Sequence, residues 1–115
     1  MDSDLNIDVE DIEGKIVLRL FGRLDAATSE ILEKQMENLI NEGRKKLFLD
    51  FSFVDYLSSA GLRLLLSFSK KLKLSKGKFI LFSIADEVLE IIKLAGFENV
   101  LSICENEKEA LIEKN

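Results

Sequence analysis

Two adjacent serines, Ser58 and Ser59, stand immediately before the small pair Ala60-Gly61 and the apolar residue Leu62. A hydroxyl in that setting can cap a helix by accepting a backbone N–H. Carboxylates lie upstream at Asp25, Asp50 and Asp55. Serine or cysteine catalysis would need a base, and the chain contains no His. Ser-His and Cys-His pairs are therefore excluded, and so are the usual Cys/His zinc sites. Asp25 and Asp55 are the only candidate bases near Ser59, which is thin support for a hydrolase. No glycine loop of the phosphate-cradling kind is present. The expectation is a chain with no catalytic residue, no cofactor and no metal. From composition alone, Ser58 reads as an N-cap and Gly61 as a packing notch that lets another backbone come close, at a cost of about 1 kcal/mol relative to Ala.

The elements that must position these residues follow from periodicity. Leu5 to Val9 alternates as a half-buried strand does, and Ile16 to Phe21 reads as a second strand across a turn at Glu13-Gly14. Gly22-Arg23-Leu24-Asp25 is expected to break that strand. Thr28 to Glu42 has helical spacing, with Leu32, Met36, Leu39 and Ile40 on one face and Gly43 as its stop. Lys46 to Asp50 is a short continuous strand, and Phe51 to Leu57 is expected to be a loop. A helix then runs from Ser58 or Ser59 to about Leu74, followed by a strand at Phe79–Phe82. The pattern closes with a helix from Asp86 to Ala95, a strand over Val100–Ile103 and a terminal helix over Asn106–Lys114. The order ββαβαβαβα predicts an α/β fold with a mixed, mostly parallel sheet of four or five strands. Strand order is left open. In such a sheet the functional loops lie at the carboxyl ends of the strands. Those loops are Gly22 to Thr28 and Asp50 to Leu62.

Composition limits the function classes. At 115 residues the chain has the size of one domain, taken as 1–115, and 47% hydrophobic residues suffice for a core. A net charge of −5 argues against nucleic acid. The basic groups Arg44-Lys45-Lys46 and Lys70, Lys71, Lys73 read as solvated faces. No apolar run is long enough for a membrane helix. Met1-Asp2-Ser3-Asp4 lacks the form of a signal peptide. A single cysteine, Cys104, suits a reducing compartment, so a cytoplasmic location is expected. Cys104 itself reads as a small buried hydrophobe.

The segment Asp50-x-Ser52-x-Val54-x-Tyr56-Leu57-Ser58-Ser59-Ala60-Gly61-Leu62 resembles the signature of the STAS domain, the fold of bacterial anti-sigma factor antagonists. Gly22-Arg23-Leu24-Asp25 is similar to that family's Gly-x-Leu/Ile-Asp station, and Leu94-Ala95-Gly96-Phe97 to a later one. Length and element order agree from end to end. The resemblance implies that Ser59 is phosphorylated by an anti-sigma factor of the serine kinase type. It further implies a partner surface of Asp25, Ser58, Ser59, Ala60, Gly61 and Leu62. The chain departs from the family at the preceding position, where members commonly carry Asp and this chain carries Ser58. Phosphate on Ser59, close to Asp25, would weaken partner binding by about tenfold to several hundredfold. A monomer is expected, with weak dimerisation as the alternative.

Two other readings belong beside this one. STAS domains also serve in transporter and stress-signalling assemblies, where the partner is an ATPase or a scaffold. From another class, Asp50 at the end of a buried strand is where a receiver domain keeps its phosphoacceptor. A receiver also needs a second acid beside Asp25 to hold Mg²⁺ and a late lysine. Here Asp25 stands alone, and Glu105 follows the last strand. Asp50 then reads as a loop-ordering residue. Phe53 and Tyr56 are candidate interface anchors, with Phe51 or Phe53 equally suited to the core.

Overall fold

A computed structural model of the chain describes residues 5–112. The expectations for Met1-Asp4 and for the end of the last helix at Lys114 lie outside the described residues. Strands β1 (Leu5–Ile12) and β2 (Lys15–Leu24) form an antiparallel hairpin. Its two-residue turn, Glu13-Gly14, has φ values of 55° and 90°, the left-handed pair such a hairpin requires. Asp11 Oδ1 accepts the Gly14 N–H at 2.8 Å and closes the turn.

Three crossovers follow. Helix α1 (Ala26–Asn41) leads to β3 (Lys46–Leu57), α2 (Ser59–Leu74) to β4 (Lys78–Phe82), and α3 (Asp86–Leu94) to β5 (Ser102–Cys104). Helix α4 (Glu107–Ile112) comes last, with Asn106 Oδ1 accepting the Glu109 N–H. The sheet has five strands in the order β1-β2-β3-β4-β5, and every pair after the hairpin is parallel. The chain is an α/β domain of the expected element order.

The two sheet faces carry separate cores. Leu18, Leu20, Leu49 and Phe51 meet α1, α2 and α3 through Leu32, Met36, Leu65, Phe68 and Ile92. On the other face Val17, Phe48, Ile80 and Phe82 pack with Ala110 of α4. Cys104 is half-buried at the margin of that second cluster. Burying a Leu or Phe contributes about 1.5–3 kcal/mol, so the first, larger core sets the fold.

Two expectations are corrected here. Gly22-Arg23-Leu24 does not break β2, and Phe51 to Leu57 is not a loop. Both segments are strand and pair with each other through Leu24↔Leu57. The cause is a pair of bulges. From Arg19 to Phe21 β2 advances two residues while β3 advances three, Asp50 to Phe53, and from Gly22 to Arg23 β3 again has one extra residue. Phe51, Val54 and Leu57 are all buried as a result, a period of three that does not read as a strand. Asp50 therefore sits inside β3 and not at its end. The smaller boundary differences are one to three residues: β1 runs on to Ile12, α1 begins at Ala26, β5 is Ser102–Cys104, and α3 ends at Leu94.

Candidate functional site

The two segments singled out in the sequence meet at one end of the sheet. Asp25 follows β2 and caps α1, and Ser58 follows β3 and caps α2. Asp25 Oδ1 accepts the Thr28 N–H at 2.9 Å, while the Thr28 hydroxyl accepts the Asp25 N–H at 2.9 Å. This reciprocal pair is a capping box, with Asp and Thr in its two places. The Thr28 N–H, then the Thr28 hydroxyl, the Ala27 N–H and Arg23, hold the half-buried Asp25 carboxyl below the usual carboxylate range. Asp25 is thus a fixed anion at the site. Arg23 Nε lies 3.7 Å from its Oδ2.

Ser58 Oγ accepts the Gly61 N–H at 3.1 Å, and Ser58 N donates to Leu24 O at 2.9 Å. With Ser58 occupied as the cap, Ser59 is the first residue of α2 and its side chain is exposed. Its hydroxyl makes no hydrogen bond among the described residues. Gly61 is required by space: a Cβ there would lie 2.9 Å from Leu57 Cδ1, 3.0 Å from Leu24 O and 3.1 Å from Leu24 Cγ. Gly61 and Leu62 are buried and Ala60 is half-buried. Of the α2 residues expected at a partner surface, Ser59 is exposed and Ala60 half-buried, while Gly61 and Leu62 are buried.

Beside this helix pair the outer parts of β2 and β3 extend beyond β4, which pairs only with Lys46–Asp50. Phe21 and Phe53 stack at 5.5 Å there, and Arg23 lies 4.4 Å over the Tyr56 ring. Phe53 is 65% and Tyr56 40% exposed, so both suit surface anchors, and Phe51 is the core member of the group. The register pair Arg23↔Tyr56 places this cation and ring one residue before Leu24↔Leu57.

Asp50 has a structural setting. Oδ1 accepts from Ser52 N at 2.9 Å and Ser52 Oγ at 2.6 Å, and Oδ2 accepts from Arg19 at 3.0 Å. Arg19 also holds Glu10 of β1 and Glu107 of α4, each at 2.9 Å. These carboxylates, Glu107 first, raise the guanidinium pKa further above its ordinary value. One arginine thereby joins β1, β3 and α4 to β2. Among the described residues no group of three or more His, Cys, Asp or Glu is arranged to hold a metal ion. No helix among them is long and apolar enough to cross a membrane.

The family model described as STAS domain matches residues 6–110. The chain belongs to the STAS domain family. This STAS domain is 29% identical over 106 residues to BtrV of Bordetella bronchiseptica, named provisionally as an anti-sigma factor antagonist, covering 92% of this chain and 90% of that one. It is 26% identical over 111 residues to the anti-sigma F factor antagonist of Paenibacillus polymyxa, covering 96% and 95%. Among solved structures it resembles an anti-sigma factor antagonist from Mycobacterium paratuberculosis, with a TM-score of 0.84, 25% identity and coverage of 93% and 91%. The fold also matches the Bacillus cell fate determinant SpoIIAA in its phosphorylated form, with a TM-score of 0.71, 22% identity and coverage of 92% and 96%.

Reading the sequence alone overlooked Arg19. It passes as an outward charge in a strand, because its partners Asp50 and Glu107 are 31 and 88 positions away.

Proposed function

We propose that this STAS domain is an anti-sigma factor antagonist that acts by partner switching. Unphosphorylated, it binds a kinase-type anti-sigma factor through Asp25, Ser59, Ala60 and the α2 start, and so frees the sigma factor. The kinase then transfers the γ-phosphoryl of its own ATP to Ser59 Oγ. The new O–P bond forms as the β–γ bridge breaks, ADP leaves, and the hydroxyl proton passes to a base of the kinase. The STAS domain supplies no catalytic group and works as a cytoplasmic monomer.

The observation that carries this reading is the division of labour between the two serines. Ser58 is consumed as the cap, which leaves the exposed Ser59 hydroxyl at the start of α2, with the Asp25 carboxylate fixed at the start of α1. Phosphate added there brings bulk and repulsion to the centre of the contact surface. Relatives named as anti-sigma factor antagonists along nearly the full chain support the same reading.

The test uses the cognate kinase and ATP. Mass spectrometry is expected to place the phosphate on Ser59, and calorimetry to show partner affinity falling by about tenfold to several hundredfold. Ser59→Ala is expected to bind and resist phosphorylation. Labelling of Ser58, or equal affinity before and after Ser59 modification, overturns the reading.

A further inference from the structure

We propose that Arg63 holds the Ser59 phosphate within the same helix, so that the modified form is an internally paired state of α2. The inference rests on Ser59 as the acceptor and concerns what happens after transfer. Ser59 is the first residue of α2 and Arg63 lies four residues on, one turn further along the same face. Helical side chains lean toward the N-terminus, so Arg63 reaches back over the turn that Ser59 opens. An anion N-terminal to a cation at this spacing is the favourable orientation.

Three further observations single out this arginine. Arg63 is exposed, and its side chain makes no ion pair or hydrogen bond among the described residues. The first turn of α2 contains no acidic residue, so within that turn nothing offsets the positive end of the dipole or pairs with Arg63. The other nearby arginine is engaged, since Arg23 lies over the Tyr56 ring at 4.4 Å and has Asp25 at 3.7 Å. A phosphate on Ser59 would answer both unmet charges at once, the helix dipole and the Arg63 guanidinium, whose planar fork suits phosphate oxygens.

Capture in cis draws the phosphate along α2, away from the Asp25 carboxylate.

The experiment installs phosphoserine at position 59 by direct incorporation, so that no kinase is required, and follows the phosphate by ³¹P NMR against pH. The second phosphate ionisation, ordinarily near pH 6, is expected to lie about 0.5 pH unit lower in the otherwise unmodified protein than in Arg63→Gln. Arg63→Lys is expected to recover most of the shift, and Arg23→Gln to leave it in place. Equal ionisation in the parent and Arg63→Gln overturns the inference, and so does a shift that follows Arg23. Failure of the switching function would show separately, as unchanged partner affinity of the same phosphoserine protein.

Discussion

Leu24 and Leu57 are the last register pair of β2 and β3, and the residue after each is a helix cap, Asp25 and Ser58. The backbone fixes their relation, because Ser58 N donates to Leu24 O at 2.9 Å. Ser59, the proposed acceptor, and the Asp25 carboxylate therefore sit at two helix starts joined by one strand pair.

Gly61→Ala should destabilise the protein by up to about 2 kcal/mol in urea unfolding. Alanine gains about 1 kcal/mol in helix propensity. Its Cβ, however, would stand 3.0 Å from Leu24 O, which the Ser58 N–H pins in place. Overpacking of this kind costs about 1–3 kcal/mol and should exceed the gain. A more stable variant would mean that the strand ends can part.

Ser58 should behave as a cap and nothing more. Ser58→Ala is expected to lose about 1 kcal/mol, since the Gly61 N–H loses its acceptor. Ser58→Asp is expected to keep full stability, because a carboxylate caps as well and favours the dipole. Thermal unfolding of the two variants checks this. Equal losses would show that the hydroxyl serves another purpose.

Asp25 should give stability a dependence on acid pH. Its carboxyl is held below the usual range in the folded protein, chiefly by the Thr28 N–H. For a depressed carboxyl, the contribution is fully present above the unfolded value of about 3.9 and is lost as pH falls through the lower, folded value. Asp25→Asn keeps a capping oxygen and removes only the charge. The wild-type advantage over it is expected to be level from about pH 5 to 8 and to shrink below about pH 4. A margin that stays constant to pH 3 would show that the ionised form has no preferred partner.

Arg19→Leu should cost about 2–3 kcal/mol, because it leaves the buried Asp50 carboxylate without its cation. The same change frees Glu107, so hydrogen exchange in α4 is expected to rise more than in α1 or α2. Uniform faster exchange would place the arginine in the general core instead.

Much of this arrangement was legible in the sequence. Clean periodicities of 3.6 and two gave the element order, and Ser58-Ser59 before Ala60-Gly61 marked the α2 start. The second half of β3 was hidden because two bulges turn its inward positions into Phe51, Val54 and Leu57. A period of three belongs to neither regular element. Strand order was open because parallel crossovers leave no local mark. Asp50 looked like a strand end for the same reason that β3 looked short, and its ties to Arg19 and Ser52 appear only in three dimensions.

The strand order has a consequence for how the surface is shared out. Each crossover steps the same way across the sheet, and one handedness of connection then sends α1, α2 and α3 to a single side. Only the segment after β5 reaches the other side, and the six-residue α4 covers just the part around Phe48 and Ile80. The stacked Phe21–Phe53 pair and the Arg23–Tyr56 pair lie on that side, where no further helix among the described residues covers them. The two sides are accordingly under different constraints. Changes beneath α1–α3 disturb the scaffold that aims Ser59, whereas the outer ribbon can vary residue by residue and would adapt the proposed switch to a different contact.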